Sequence, residues 1–199
     1  MKRLFIAVLI ASTSLLAFGD AASQSNAALL AQLNAHSKTI QSLQGHFVQQ
    51  KNIAVLPVPL NSTGQFQFEQ GKEVIWEVLT PVHNTLHLTP KGISFESEQG
   101  KAQNSAIQQQ AGVEVVAKIF MGVIAGELDS LNAYFAVQAS GDIKHWKLLL
   151  TPRSPNLAAY LQNIELQGSE FTEQLTIAET NGDKTNIRFT TDKVIRKAE

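Results

Sequence analysis

Two histidines four residues apart, His83 and His87, and carboxylates at Glu69, Glu77, Glu165 and Glu179 are the side chains here whose types could do chemistry. On a helix, an i, i+4 histidine pair faces one way and suits zinc. Here the pair flanks a stretch that reads as a strand, where four steps of about 3.3 Å set them roughly 13 Å apart. That is too far to share one ion, and no third ligand stands at a fitting spacing. The carboxylates fall at outward strand positions, and spacing brings no two of them together as acid and base. His36, His46 and His145 read as surface residues. No G-x-S-x-G, H-E-x-x-H or glycine-rich phosphate loop occurs. The expectation is a chain with no catalytic group, no metal and no cofactor.

The stronger pattern is apolar. In "STGQFQFEQGKEVIWEV", Phe66 and Phe68 alternate with Gln65, Gln67 and Glu69; after the polar turn Glu69 to Glu73, Val74, Trp76 and Val78 repeat the alternation. This is a hairpin with one greasy face, and Ile93 and Phe95 extend it. Such a face is either ordinary core or the lining of a hollow.

Bulk properties narrow the classes. Met1-Lys2-Arg3 followed by an apolar run from Leu4 to Phe18 and small residues near Gly19 reads as a secretory signal over residues 1–20, cleaved near residues 19–21. The run is shorter than the ~20 residues of a membrane-spanning helix. Residues 21–199 are expected to form one exported, soluble domain. The formal charge of -1 becomes -3 without Lys2 and Arg3, so no basic field attracts nucleic acid. With no cysteine, disulfides, thiol chemistry and a lipid-modified N-terminal cysteine are excluded.

The elements that position the greasy face follow from periodicity. Leu29, Leu30, Leu33, Ile40 and Leu43 predict an amphipathic helix from about Asn26 to Leu43, ended by Gly45. Strands are expected at His46–Val55, Gly64–Glu69, Val74–Thr80, Asn84–Leu88 and Ile93–Glu96, then an exposed loop from Lys101 to Gln110. Apolar spacing predicts a second helix between about Val113 and Leu131, loosened by Gly122 and Gly126, each costing about 1 kcal/mol. Strands resume at Tyr134–Gln138, Ile143–Thr151, Leu161–Gln167, Glu173–Glu179 and Lys184–Thr190, with tight turns at Ser140-Gly141-Asp142 and Asn181-Gly182-Asp183. Ten strands in an antiparallel series with one apolar face must curl and be covered. The expected fold class is α+β: a curved antiparallel sheet of ten to eleven strands forming an incomplete half β-barrel, with helices as a lid.

The order Phe47-Val48-Gln49, Gly64-Gln65-Phe66-Gln67-Phe68, Trp76, Pro81, Lys91-Gly92-Ile93, Phe120-Met121 and Trp146 to Arg153 resembles the LolA family, periplasmic carriers of outer-membrane lipoproteins, over nearly the whole chain after residue 20. The resemblance implies a hydrophobic cavity lined by Phe47, Phe66, Phe68, Val74, Trp76, Val78, Ile93 and Phe95. It also implies a lid carrying Ile119, Phe120, Met121 and Val123, with Gly122 and Gly126 where the helix yields. An arginine common in the family's hairpin before the tryptophan is missing, leaving Gln70 and Lys72 as the possible lid latch. The implied function is a periplasmic carrier of acylated lipoprotein, or of another acylated lipid or glycolipid, and a monomer is expected. Its implied partners are an inner-membrane ABC release complex and an outer-membrane acceptor. A sensor of the same fold that binds without delivering, and an enzyme on an acyl or glycosyl substrate, are the alternatives.

Overall fold

The computed structural model describes residues 19–89, 92–97, 100–102, 122 and 131–198. Helix α1 (Gly19–Lys38) leads into β1 (Ile40–Asn52), β2 (Leu60–Glu69), β3 (Glu73–Thr80), β4 (Asn84–Thr89), β5 (Gly92–Ser97) and β6 (Gly100–Ala102). Then follow β7 (Phe135–Asp142), β8 (His145–Pro152), a one-turn helix α2 (Pro155–Ala158), β9 (Leu161–Gly168), β10 (Thr172–Glu179) and β11 (Lys184–Arg196). All eleven strands form one antiparallel sheet, ordered β6-β5-β4-β3-β2-β1-β11-β10-β9-β8-β7. Two meanders are therefore joined where the first strand meets the last, and β6 and β7 remain as edges. This is the expected incomplete barrel.

The alternation written in the sequence places the core. Leu43, Phe47, Phe66, Phe68, Val74, Trp76, Leu88 and Ile93 are buried on the inner face of the first meander, and Trp146, Leu148, Leu150, Ile164, Leu166, Leu175, Ile187 and Phe189 on that of the second. Helix α1 packs on β7 and on the start of β1, burying Leu29, Leu33 and Ser37 at i, i+4 and i+8.

Several boundaries differ from the sequence expectation: α1 begins at Gly19, β1 spans Ile40–Asn52, β2 begins at Leu60 and β11 runs to Arg196. Helix α1 stops at Lys38, five residues before Leu43, with Thr39 bonding back to the His36 carbonyl. Ile40 and Leu43 both face inward because the β1·β11 register shifts between Ile40 and Ser42; this irregularity reproduces a spacing of three that reads as helix. The first residues of the expected loop after Gly100 form edge strand β6. The turn expected at Ser140-Gly141-Asp142 lies two residues later, at Ile143 and Lys144, where Asp142 Oδ1 accepts from both the Lys144 and His145 amides.

Curvature is built by bulges and inner-face glycines. Gly45 and Gly64 each adjoin a register shift. Each lies opposite an aromatic residue of a paired strand, Phe66 for Gly45 and Phe47 for Gly64. A Cβ on Gly45 would stand 2.8 Å from the Phe66 ring and 2.1 Å from the Thr190 carbonyl oxygen; one on Gly64 would stand 2.5 Å from the Phe47 ring and 2.0 Å from the Glu77 oxygen. Backbone and ring together occupy the side-chain position, so no residue but glycine fits. Gly45→Ala and Gly64→Ala are each expected to cost about 2 kcal/mol or more, lowering Tm by roughly 4–8 °C in thermal unfolding, and an unchanged Tm would refute this packing.

Candidate functional site

The inner face of β1 to β5 brings the sequence-predicted residues together. Phe47, Phe66, Phe68, Val74, Trp76 and Ile93 are buried, and Val78 and Phe95 are partly buried. Register explains their order: Phe66 pairs with Trp76, Phe68 with Val74, and Val74 in turn with Leu88. Because Gly64 has no side chain, the Phe47 ring leans across it and reaches the next strand. There it stacks on Trp76, with ring centroids 3.6 Å apart and planes 16° from parallel.

The second meander adds a ring that the sequence reading left out. Phe189 on β11 pairs with Phe47 and meets Phe66 edge-on at 5.8 Å and Trp76 edge-on at 6.0 Å. These are favourable aromatic geometries. The alternation of Ile187 and Phe189 was visible, but pairing between the two ends of the chain was not. Trp146, on the far side of the interior, is buried with its indole Nε1 donating to the Ser169 carbonyl at 2.6 Å.

Of the residues assigned to the lid, Gly122 is described: it is helical and buried, and a Cβ there would come 2.8 Å from the Leu131 side chain. Ile119, Phe120, Met121, Val123 and Gly126 lie outside the described residues. At the latch position, Lys72 is exposed and ion-paired with Glu69 of its own hairpin, and the Gln70 amide donates to the Gln41 carbonyl at 2.9 Å.

Charge is kept away from the ring cluster, on the outer face and, with Lys51, Glu179 and Asp183, at one rim. His83 and His87 each meet a carboxylate instead of each other: His83 Nε2 lies 2.7 Å from Glu77 Oε1, and His87 Nδ1 lies 3.4 Å from Glu73 Oε2. Among the described residues no group of three metal-ligating side chains forms, and the buried polar ones are Ser37, Thr176 and Thr185, none of them charged. Around the rings, the interior these residues describe is thus apolar and uncharged.

The Glu77 carboxyl is held below its ordinary pKa, first by the hydrogen bond from Gln65 Nε2 and then by His83. A lowered folded pKa gives stability that is present above the unfolded value and lost as pH falls through the folded one. Glu77→Gln should therefore flatten the acid limb of Tm against pH, whereas His83→Gln, which spares the Gln65 bond, should flatten it less. Identical acid limbs in Glu77→Gln and the parent would contradict this.

The sequence matches the family model described as outer membrane lipoprotein carrier protein LolA-like over residues 21–192. A comparison with curated proteins finds no match. Among solved structures, a LolA superfamily protein from Nitrosomonas europaea aligns with 86% of this chain and 95% of that one, at 9% identity and a TM-score of 0.44. A DUF1329 family protein from Desulfovibrio piger aligns with 85% of this chain and 91% of its own, at 10% identity and a TM-score of 0.44. A chain of the Pseudomonas aeruginosa MucA/MucB complex aligns with 87% of this chain at 15% identity and a TM-score of 0.45, and this chain spans 58% of it.

Proposed function

The chain belongs to the LolA-like family of outer membrane lipoprotein carrier proteins, and from that premise we propose that it is a periplasmic carrier whose interior takes up the acyl chains of a lipoprotein or a related acylated lipid. The observation that supports this most directly is the uncharged aromatic cluster of Phe47, Phe66, Trp76 and Phe189 on the concave face of a sheet that does not close. On this reading residues 1–20 are the export signal. Among the described residues no helix is long and apolar enough to cross a membrane. Cargo arrives from an inner-membrane ABC release complex and leaves to an outer-membrane acceptor.

Magnitudes set the mechanism. Burying a methylene is worth about 0.8 kcal/mol, so three fully enclosed acyl chains would gain about 30–40 kcal/mol. Noncovalent binding saturates near 18–21 kcal/mol, and a carrier that approached even that value could not unload. The interior packing solves this. An entering chain must part Phe47 from Trp76 and pull Phe189 from both partners, so the attraction of cargo for these rings is offset by the attraction the rings give up among themselves. The net gain is small, and transfer runs downhill to a better acceptor without nucleotide.

Val78 and Phe95 are the lining positions at which a carboxylate leaves the fold intact, because both are only partly buried. Val78→Glu and Phe95→Glu are expected to lower uptake of a fluorescent fatty acid or triacylated peptide about ten-fold or more, a few kcal/mol for charge in a hydrocarbon site. The outward Glu77→Gln should take up cargo as the parent does. Uptake unchanged in both lining variants would overturn the assignment. Release of loaded cargo to acceptor membranes identifies a carrier; retention identifies the sensor that binds without delivering.

A further inference from the structure

The loop joining β1 to β2 is built of the wrong residues for a solvated turn. Ile53-Ala54-Val55-Leu56-Pro57-Val58-Pro59-Leu60 is apolar throughout, yet Val55 is 87% exposed, Val58 65%, and Leu56 and Leu60 are about half exposed. At the same rim, the end of β3 adds exposed Leu79 and the β3–β4 loop exposed Val82. Clustered apolar exposure of this kind marks a contact surface.

We propose that this rim docks on a lipid bilayer, with the β1–β2 loop entering the region between headgroups and acyl chains. Three observations favour bilayer over protein. The loop offers few donors to a partner: from Ala54 to Pro59 no side chain is polar, Pro57 and Pro59 have no amide hydrogen, and the amides of Ala54 and Leu56 are bonded internally, to Asp183 Oδ1 and the Ile53 carbonyl, each at 2.9 Å, leaving those of Val55 and Val58. A protein interface uses such groups, whereas hydrocarbon penalises each one left unmet. The charge at the loop's base is matched, Lys51 Nζ lying 3.3 Å from Glu179 and 4.0 Å from Asp183. Finally, Tyr160, 66% exposed, stands at the same rim. Its carbonyl accepts from Thr180, in the same β10–β11 connection that supplies Asp183 to Ala54. An exposed tyrosine bordering an aliphatic tip matches the layering of a membrane interface.

This goes beyond the carrier reading, because it concerns an outer loop and holds whatever the interior binds. The test is flotation of the purified protein with vesicles of phosphatidylcholine alone and of phosphatidylcholine mixed with phosphatidylglycerol. The protein is expected to float with both, insensitive to salt, and the double variant Val55→Asp, Val58→Asp to lose about ten-fold or more of its partitioning. Ile195→Asp, an exposed apolar position at the opposite rim, should float as the parent does. A tryptophan at position 55, Val55→Trp, should shift its emission to the blue on vesicles over the constant signal of buried Trp76 and Trp146. Absence of flotation, flotation that the double variant retains, flotation confined to anionic vesicles and abolished by salt, or self-association of the protein that the double variant dissolves while vesicles go unbound would each overturn the proposal. Fatty-acid uptake in the double variant is expected to match the parent, so failure at the tip is separable from failure of the interior.

Discussion

The concave side of a strongly curved sheet has less room than the convex side, and side chains that point inward converge. That crowding governs this fold. At Gly45 and Gly64 there is no space for a Cβ at all, since a carbonyl oxygen of one neighbouring strand and an aromatic ring of the other already meet there. The same arrangement recurs at Gly168, which pairs with Trp146 and lies under its ring. Each glycine removes a side chain where the sheet bends, and each ring fills the gap from the partner strand. Phe47 is the central case. It lies on the strand that joins the two meanders, opposite Gly64 on one side and Phe189 on the other. Its ring both permits the bend and caps the aromatic cluster.

The same constraint bears on the reversible loading that the proposed carrier requires. An interior of aliphatic chains alone would collapse on itself with little geometric preference. Rings that stack and meet edge-on hold definite positions, yet each such pairing is worth only about 0.5–1.5 kcal/mol beyond its buried area. On the carrier reading proposed above, these rings are packed against one another before loading and part in steps. A permanently open hollow would instead expose hydrocarbon to water in the unloaded state, at about 25 cal/mol for every Å².

Much of this was legible locally. Strand positions, the inward set from Phe66 to Phe95, and the incomplete barrel follow from alternation, because period two is written residue by residue. What escaped the reading is nonlocal or irregular. Phe189 reaches the cluster only because β11 pairs with β1 across nearly the whole chain, and no local pattern encodes that partner. The α1 boundary was misplaced because an irregularity puts Ile40 and Leu43 on one face at a helix-like spacing. The Gly141 turn was misplaced because a positive φ of 90° serves an extended position, where a Cβ would meet the His145 carbonyl at 2.0 Å, two residues before the true reversal. The exposed loop was legible as composition, two prolines among aliphatic residues, but its exposure was not: an apolar run reads as buried until topology places it at a rim.

That rim and the interior are connected by register. Leu60 shares the inward parity of Gly64, Phe66 and Phe68 on β2, so the strand that begins at the loop continues without interruption into the aromatic cluster. Between them stand Ser62 and, across from it, Gln49, and then Gly64 beneath the Phe47 ring. The Ser62 hydroxyl is buried with no hydrogen-bond partner. A hydrocarbon chain that followed this face from the rim to the rings would pass Lys51, paired with Glu179 and Asp183 opposite Leu60, then the Gln49 amide and the Ser62 hydroxyl.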